Sequence, residues 1–293
     1  MRLTTVCRKC KQYRGAVLVS IVLLATGGLS GILFQKYYPV GHLLQRMGGR
    51  NSTVSPASVP RHHAEIPFSS VHAKRVMVAL VFGQSNAANF GESPHKAREG
   101  VYNFYQGKLY AAQDPLLGAD GNGGSVWTRL GTKLITSQHY DAVVFIALGV
   151  GGATIGRWKP DGDLHPRLLE AIRDVQAHHV SITHILWHQG EADASLKTSR
   201  SAYTTMFLEM VSSIRRQGVH APIYISVATR CQKQREDHEV RQAQQTLVNP
   251  LEGMYAGPDT DQLGLGDRYD GCHFSNEGLE KFAGLWLEKL RFN

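Results

Sequence analysis

Apolar and polar positions alternate between two patterns along this chain. Val76-Met-Val-Ala-Leu-Val-Phe82 is a continuous apolar run, rich in β-branched residues, that ends in Gly83-Gln84-Ser85-Asn86. Such runs predict strands buried on both faces. Four more follow: Asp141-Ala-Val-Val-Phe-Ile-Ala-Leu148, Ile182-Thr-His-Ile-Leu-Trp187, Pro222-Ile-Tyr-Ile-Ser-Val227 and the short Met254-Tyr-Ala256. Between them the apolar spacing becomes helical. It does so at Val126, Leu130, Leu134 and Ile135, then at Leu164, Leu168, Leu169, Ile172 and Val175, and again at Tyr203, Met206, Phe207, Met210, Val211 and Ile214 before Gly218. A polar helix is expected over Lys233 to Val248. Ser275 is expected to cap a last helix carrying Leu279, Phe282, Trp286, Leu287 and Leu290. Val101–Tyr105 and Lys108–Ala112 read as a small hairpin across Gln106-Gly107. Strands alternating with helices at this spacing predict an α/β domain with a mainly parallel, five-stranded sheet and helices on both faces.

Ahead of this domain the pattern differs. Ala16 to Phe34 holds nineteen residues without a charge, about 29 Å as a helix and close to the roughly 30 Å hydrocarbon core of a bilayer. Arg2, Arg8, Lys9, Lys11 and Arg14 precede it, and only Lys36 closely follows. The expected organisation is a basic cytosolic tail (1–15), a transmembrane anchor (16–35), a flexible linker (36–73) and a domain (74–293) on the non-cytoplasmic side, periplasmic or extracellular. The alternative is a cleaved secretion signal. His62-His63 falls in the linker and reads as solvated. The overall charge of +8 belongs to this leader. Residues 1–75 hold 11 Lys/Arg against one acid, a net of +10, and residues 76–293 hold 21 against 23, a net of −2. The domain therefore offers no basic surface for nucleic acid.

Strand ends carry the chemistry. In open α/β sheets ligands bind beyond the carboxyl ends of the strands. Ser85, Gly151-Gly152, His188-Gln-Gly-Glu191 and Asp270-Gly-Cys-His273 each follow a strand. Ser85 is a candidate nucleophile and His273 its candidate base. Asp270, three residues away, can hold the imidazole tautomer, although Asp259, Asp261 and Asp267 compete for that role. The amides of Ser85 and Gly152 and the Gln189 carboxamide are candidate oxyanion donors. Glu191 and Asn86 are given supporting roles, and His188 that of a core histidine. The glycines at 149–156 lack both the dinucleotide spacing and a P-loop lysine. The loop at 120–124 has too few acids for calcium. No metal or cofactor is expected. Cys231 and Cys272, both in the exported part, are expected to pair and pin the catalytic turn. Cys7 and Cys10 form a lone Cys-x-x-Cys with no assigned role.

Gly83-Gln-Ser-Asn86, Trp187-His-Gln-Gly-Glu-Ala-Asp193 and Asp270-Gly-Cys-His273 together resemble the sequence blocks of SGNH-type hydrolases, in their sialate O-acetylesterase and acetylxylan esterase branch. The resemblance spans residues 74–291. It implies a flavodoxin-like three-layer sandwich and hydrolysis of O-acetyl esters on sugars through an acetyl-serine intermediate. It implies Ser85, Asp270 and His273 as the triad, and matches Gly152 and Gln189 to oxyanion positions. The implied partner is an acetylated carbohydrate: sialic acid, xylan or an envelope polysaccharide. An acyltransferase with the same triad, or a non-catalytic glycan-binding protein, is the alternative. Acid and base on one turn, and Asn86-Ala87 after the serine, set the chain apart from Gly-x-Ser-x-Gly hydrolases.

Overall fold

A computed structural model describes residues 63–71, 73–232 and 236–290. The expected basic tail, the anchor and most of the linker lie outside the described residues. Among the described residues no helix is long and apolar enough to cross a membrane.

Eight strands form one sheet: β1 (Glu65–Ile66), β2 (Val76–Gly83), β3 (Val101–Tyr105), β4 (Lys108–Ala111), β5 (Ala142–Ala147), β6 (His184–His188), β7 (Ile223–Val227) and β8 (Met254–Asp259). Their order is β1-β4-β3-β5-β2-β6-β7-β8. The five expected strands are β2, β5, β6, β7 and β8. They pair in parallel in the order second, first, third, fourth, fifth, a doubly wound arrangement.

The expected count of five is corrected to eight. The hairpin at β3 and β4 joins the sheet, because β3 pairs in parallel with β5 while β4 and β1 add antiparallel strands outside it. The end of the stretch read as linker is also part of the domain. Glu65 and Ile66 pair with Tyr110 and Leu109, and His63 is buried, its Nε2 within 3.2 Å of Gln113 O and 3.0 Å of Pro115 O. A two-residue strand is too short to show alternation, so the sequence gives no sign of it.

Helices cover both faces. Along β2, Val78, Leu80 and Phe82 face one core and Met77, Ala79 and Val81 the other, as the two-residue strand repeat requires. The first core is closed by α2 (Ile155–Trp158), α3 (His165–Ala177), α5 (Arg200–Arg216) and α6 (His238–Thr246), through Trp158, Ile172, Phe207 and Val240. The second is closed by α1 (Val126–Thr136) and α7 (Asn276–Leu290), through Trp127, Leu130, Phe282 and Trp286. The short α4 (Glu191–Leu196) follows β6.

Side-chain caps set the helix starts. Ser125 accepts from Thr128 N, Ser199 from Ala202 N and Ser275 from Gly278 N. Asp237 caps α6 by accepting from Val240 N, so that helix begins at His238, later than the polarity pattern alone predicts.

Candidate active site

The turn after β2 fixes Ser85. Gly83 has φ +140, and a Cβ there would lie 1.9 Å from His188 O, so only glycine lets β2 pass β6 this closely. Gln84 N then donates to His188 O, and Ser85–Ala87 coil into a 3-10 turn. The Gln84 side chain reaches the start of α4, where its Oε1 accepts from Gly190 N and Ala192 N. Ser85 is thereby clamped between two central parallel strands.

Asp270 and His273 sit on one turn, as their spacing requires. Asp270 Oδ2 lies 2.6 Å from His273 Nδ1, and Oδ1 accepts the N–H groups of Cys272 (2.8 Å) and His273 (2.7 Å). Partial burial pushes the Asp270 pKa up, but these hydrogen bonds outweigh it and hold the carboxyl below the usual aspartate value. The competing acids are engaged elsewhere. Asp259 pairs with Arg241, Asp261 accepts from Thr229 and Arg230, and Asp267 pairs with Lys281.

The turn docks onto the Ser85 segment. Asn86 Nδ2 donates to Cys272 O (3.3 Å) and to Glu191 Oε1 (2.9 Å). Glu92 N donates to Phe274 O, and the Phe90 ring stacks on His273 with centroids 5.3 Å apart. Cys231 and Cys272 are joined in a disulfide with Cα atoms 4.2 Å apart. Ser85 and His273 are thus brought to the same sheet edge. Among the described residues no hydrogen bond joins Ser85 Oγ to the His273 ring; in proteins without bound substrate such contacts are often long and tighten on binding.

The oxyanion candidates divide. Neither Ser85 N–H nor Gly152 N–H has an acceptor among the described residues. Gly152 has φ +63, and a Cβ there would meet no atom within 4 Å, so the backbone is open on that side. Gln189 differs from its expected role. It is fully buried, its Nε2 donates to Asp193 Oδ2 (2.5 Å) and Ala153 O (3.1 Å), and its Oε1 accepts from Tyr203. Asp193, four residues on, turns the carboxamide inward and leaves it no free N–H.

Glu191 is buried with Oε2 unpartnered among the described residues, and burial pushes its pKa up to about 7. Burial pushes His188 down to about 3, so it is a neutral core imidazole 3.1 Å from Thr260 Oγ1. Sequence reasoning missed Arg268. Buried over the Phe274 ring at 4.2 Å, it donates to Cys272 O and to Thr260 O. It is the one basic residue in the acid-rich stretch 259–270, and that isolation was its signal. Among the described residues no group of three His, Cys, Asp or Glu is placed to hold a metal ion. Two surface depressions lie elsewhere, one along α5 at Thr205 and Leu208 and one beside α7 at Lys281 and Leu285.

Residues 75–290 match the family model described as carbohydrate esterase, sialic acid-specific acetylesterase. No curated protein matches the chain. Among solved structures, a protein from Arabidopsis thaliana is similar at 15% identity and a TM-score of 0.61, over 73% of this chain and 97% of that one. NanS is similar at 16% identity and a TM-score of 0.56, over 74% and 96%. A protein described as a putative GDSL-like lipase from Parabacteroides merdae is similar at 12% identity and a TM-score of 0.50, over 75% and 97%. At these identities the likeness concerns the fold.

Proposed function

The chain belongs to the carbohydrate esterase family of sialic acid-specific acetylesterases, a family of carboxylic ester hydrolases, and on that premise we propose that it removes O-acetyl groups from carbohydrate through an acetyl–Ser85 intermediate. The observation that carries this reading is the 2.6 Å Asp270–His273 pair on a turn tied by Asn86 to the Ser85 segment.

Ser85 Oγ attacks the acetyl carbonyl while His273 takes its proton. Asp270 holds the Nδ1–H and stabilises the imidazolium. The N–H groups of Ser85 and Gly152 receive the oxyanion. Collapse breaks the ester C–O bond, and His273 returns the proton to the departing sugar oxygen. Water, deprotonated by His273, then attacks the acetyl–Ser85 carbonyl; acetate leaves and Ser85 regains its proton. The sandwich fold is of the flavodoxin-like kind, and the domain works outside the cytoplasm, anchored by residues 16–35. The Cys231–Cys272 disulfide supports that compartment, since such bonds persist where conditions oxidise.

The test is acetate release from 4-nitrophenyl acetate, acetylated xylan and O-acetyl sialic acid by the purified protein. Ser85→Ala is expected to abolish turnover, and Asp270→Asn to lower kcat by orders of magnitude while leaving the fold intact. Full activity in Ser85→Ala overturns the reading. Acetyl groups recovered on an acceptor sugar instead of in water identify an acyltransferase. A mature N-terminus near residues 28–40 replaces the anchor with a secretion signal.

A further inference from the structure

Six large apolar side chains are exposed among the described residues: Phe68, Leu196, Leu208, Leu251, Leu265 and Tyr269. Tyr269 alone among them lies on the turn that carries His273. It is 49% exposed, yet its hydroxyl is tied by donation to Phe90 O at 3.2 Å. Its backbone is held as well, with Tyr269 N donating to His273 O. The ring is therefore held in place while nearly half its surface meets water. Its centroid is 6.3 Å from that of His273, and the Phe90 ring stacks on His273 at 5.3 Å. Phe90 also reaches the candidate oxyanion loop, for a Cβ on Gly151 would lie 2.9 Å from Phe90 Cζ. Two aromatic residues, linked by the hydrogen bond from the Tyr269 hydroxyl to the Phe90 backbone carbonyl, flank the base, and Phe90 extends to the candidate oxyanion loop.

A fixed, half-exposed aromatic ring beside a reacting centre offers a large contact area whose ordering cost is already met. The C–H groups on one face of a pyranose suit such a surface, and their burial is favourable in the way apolar burial generally is. Two carboxylates, that of Asp270, next in the chain, and that of Glu92, act on Tyr269. A sugar carboxylate stacked there meets like charge; an uncharged sugar does not.

We propose that Tyr269 and Phe90 form the platform on which an uncharged sugar ring stacks while its acetyl ester lies at Ser85. The proposal rests on the esterase reading above and adds the ring that carries the ester.

The experiment compares kcat/KM for an acetylated xylo-oligosaccharide, for O-acetyl sialic acid and for ethyl acetate, which has no ring to stack. Tyr269→Ala is expected to lower kcat/KM on the xylo-oligosaccharide by about ten-fold, mainly through KM, and to affect ethyl acetate far less. Tyr269→Phe keeps the ring and is expected to restore most of the loss. Equal losses on both substrates in Tyr269→Ala, or no loss on the sugar, overturn the platform. A wild-type preference for O-acetyl sialic acid over the xylo-oligosaccharide overturns the uncharged ring. A wild-type protein that cleaves none of the three overturns the esterase reading itself, and the platform with it.

Discussion

Replacing Glu191 with glutamine separates charge from shape at a buried position that Asn86 links to the Asp270–His273 turn. Glu191 opens α4; Oε1 accepts from Asn86 at 2.9 Å, and Oε2 is unpartnered among the described residues. Burial raises its pKa from 4.5 to about 7, opposed by the Asn86 hydrogen bond and the positive charge of Arg268. The difference is 7 − 4.5 = 2.5 pH units, which corresponds to about 3 kcal/mol. Between these two values the native state keeps a proton that the unfolded chain has lost. Stability therefore falls as pH rises from about 4.5 to about 7, and levels off above. Glutamine is neutral throughout and keeps an acceptor for Asn86. The expected result is similar stability for the two proteins near pH 4.5, with Glu191→Gln the more stable by about 3 kcal/mol at pH 8. Urea unfolding at both pH values measures this through the fluorescence of Trp127, Trp158, Trp187 and Trp286, all fully buried. Titrating groups not coupled to Glu191 cancel in the comparison. A variant less stable than wild type at pH 8, or a difference independent of pH, refutes the reasoning.

Two other perturbations act on the same edge of the sheet. Cys231 and Cys272 are 41 residues apart; replacing both with alanine is expected to cost about 4 kcal/mol of stability by releasing that loop in the unfolded chain, and a loss well under 1 kcal/mol in denaturant melts contradicts it. Gly152→Ala places a methyl group in open space at φ +63; it is expected to cost only about 1–2 kcal/mol of stability but to lower kcat by roughly 10²-fold by obstructing the amide, so an active variant removes Gly152 from the oxyanion site.

The parallel strands were legible because strands buried on both faces are written as unbroken apolar runs. Val76–Phe82 marks β2 to within one residue, and the run from Pro222 to Val227 marks β7 equally well. β1 was not legible, since two residues carry no period, nor was the pairing of β3 with β5, which only the assembled sheet decides. At the site, the local pair Asp270–His273 and the disulfide partners could be read from spacing and compartment. The Gln189 carboxamide could not. Its direction is set by Asp193, Ala153 and Tyr203, and only the last two lie beyond the turn that the motif itself describes. Arg268 escaped because its one signal, isolation among the acids of 259–270, does not say that the guanidinium is buried.

Ser85 follows the first strand of the parallel core, while Asp270 and His273 precede α7. During translation Ser85 leaves the ribosome well before Asp270 and His273. On the proposed mechanism, a polypeptide that stops short of residue 273 lacks the base. The two halves of the proposed triad meet only after the strands between them, β3 to β8, have been made.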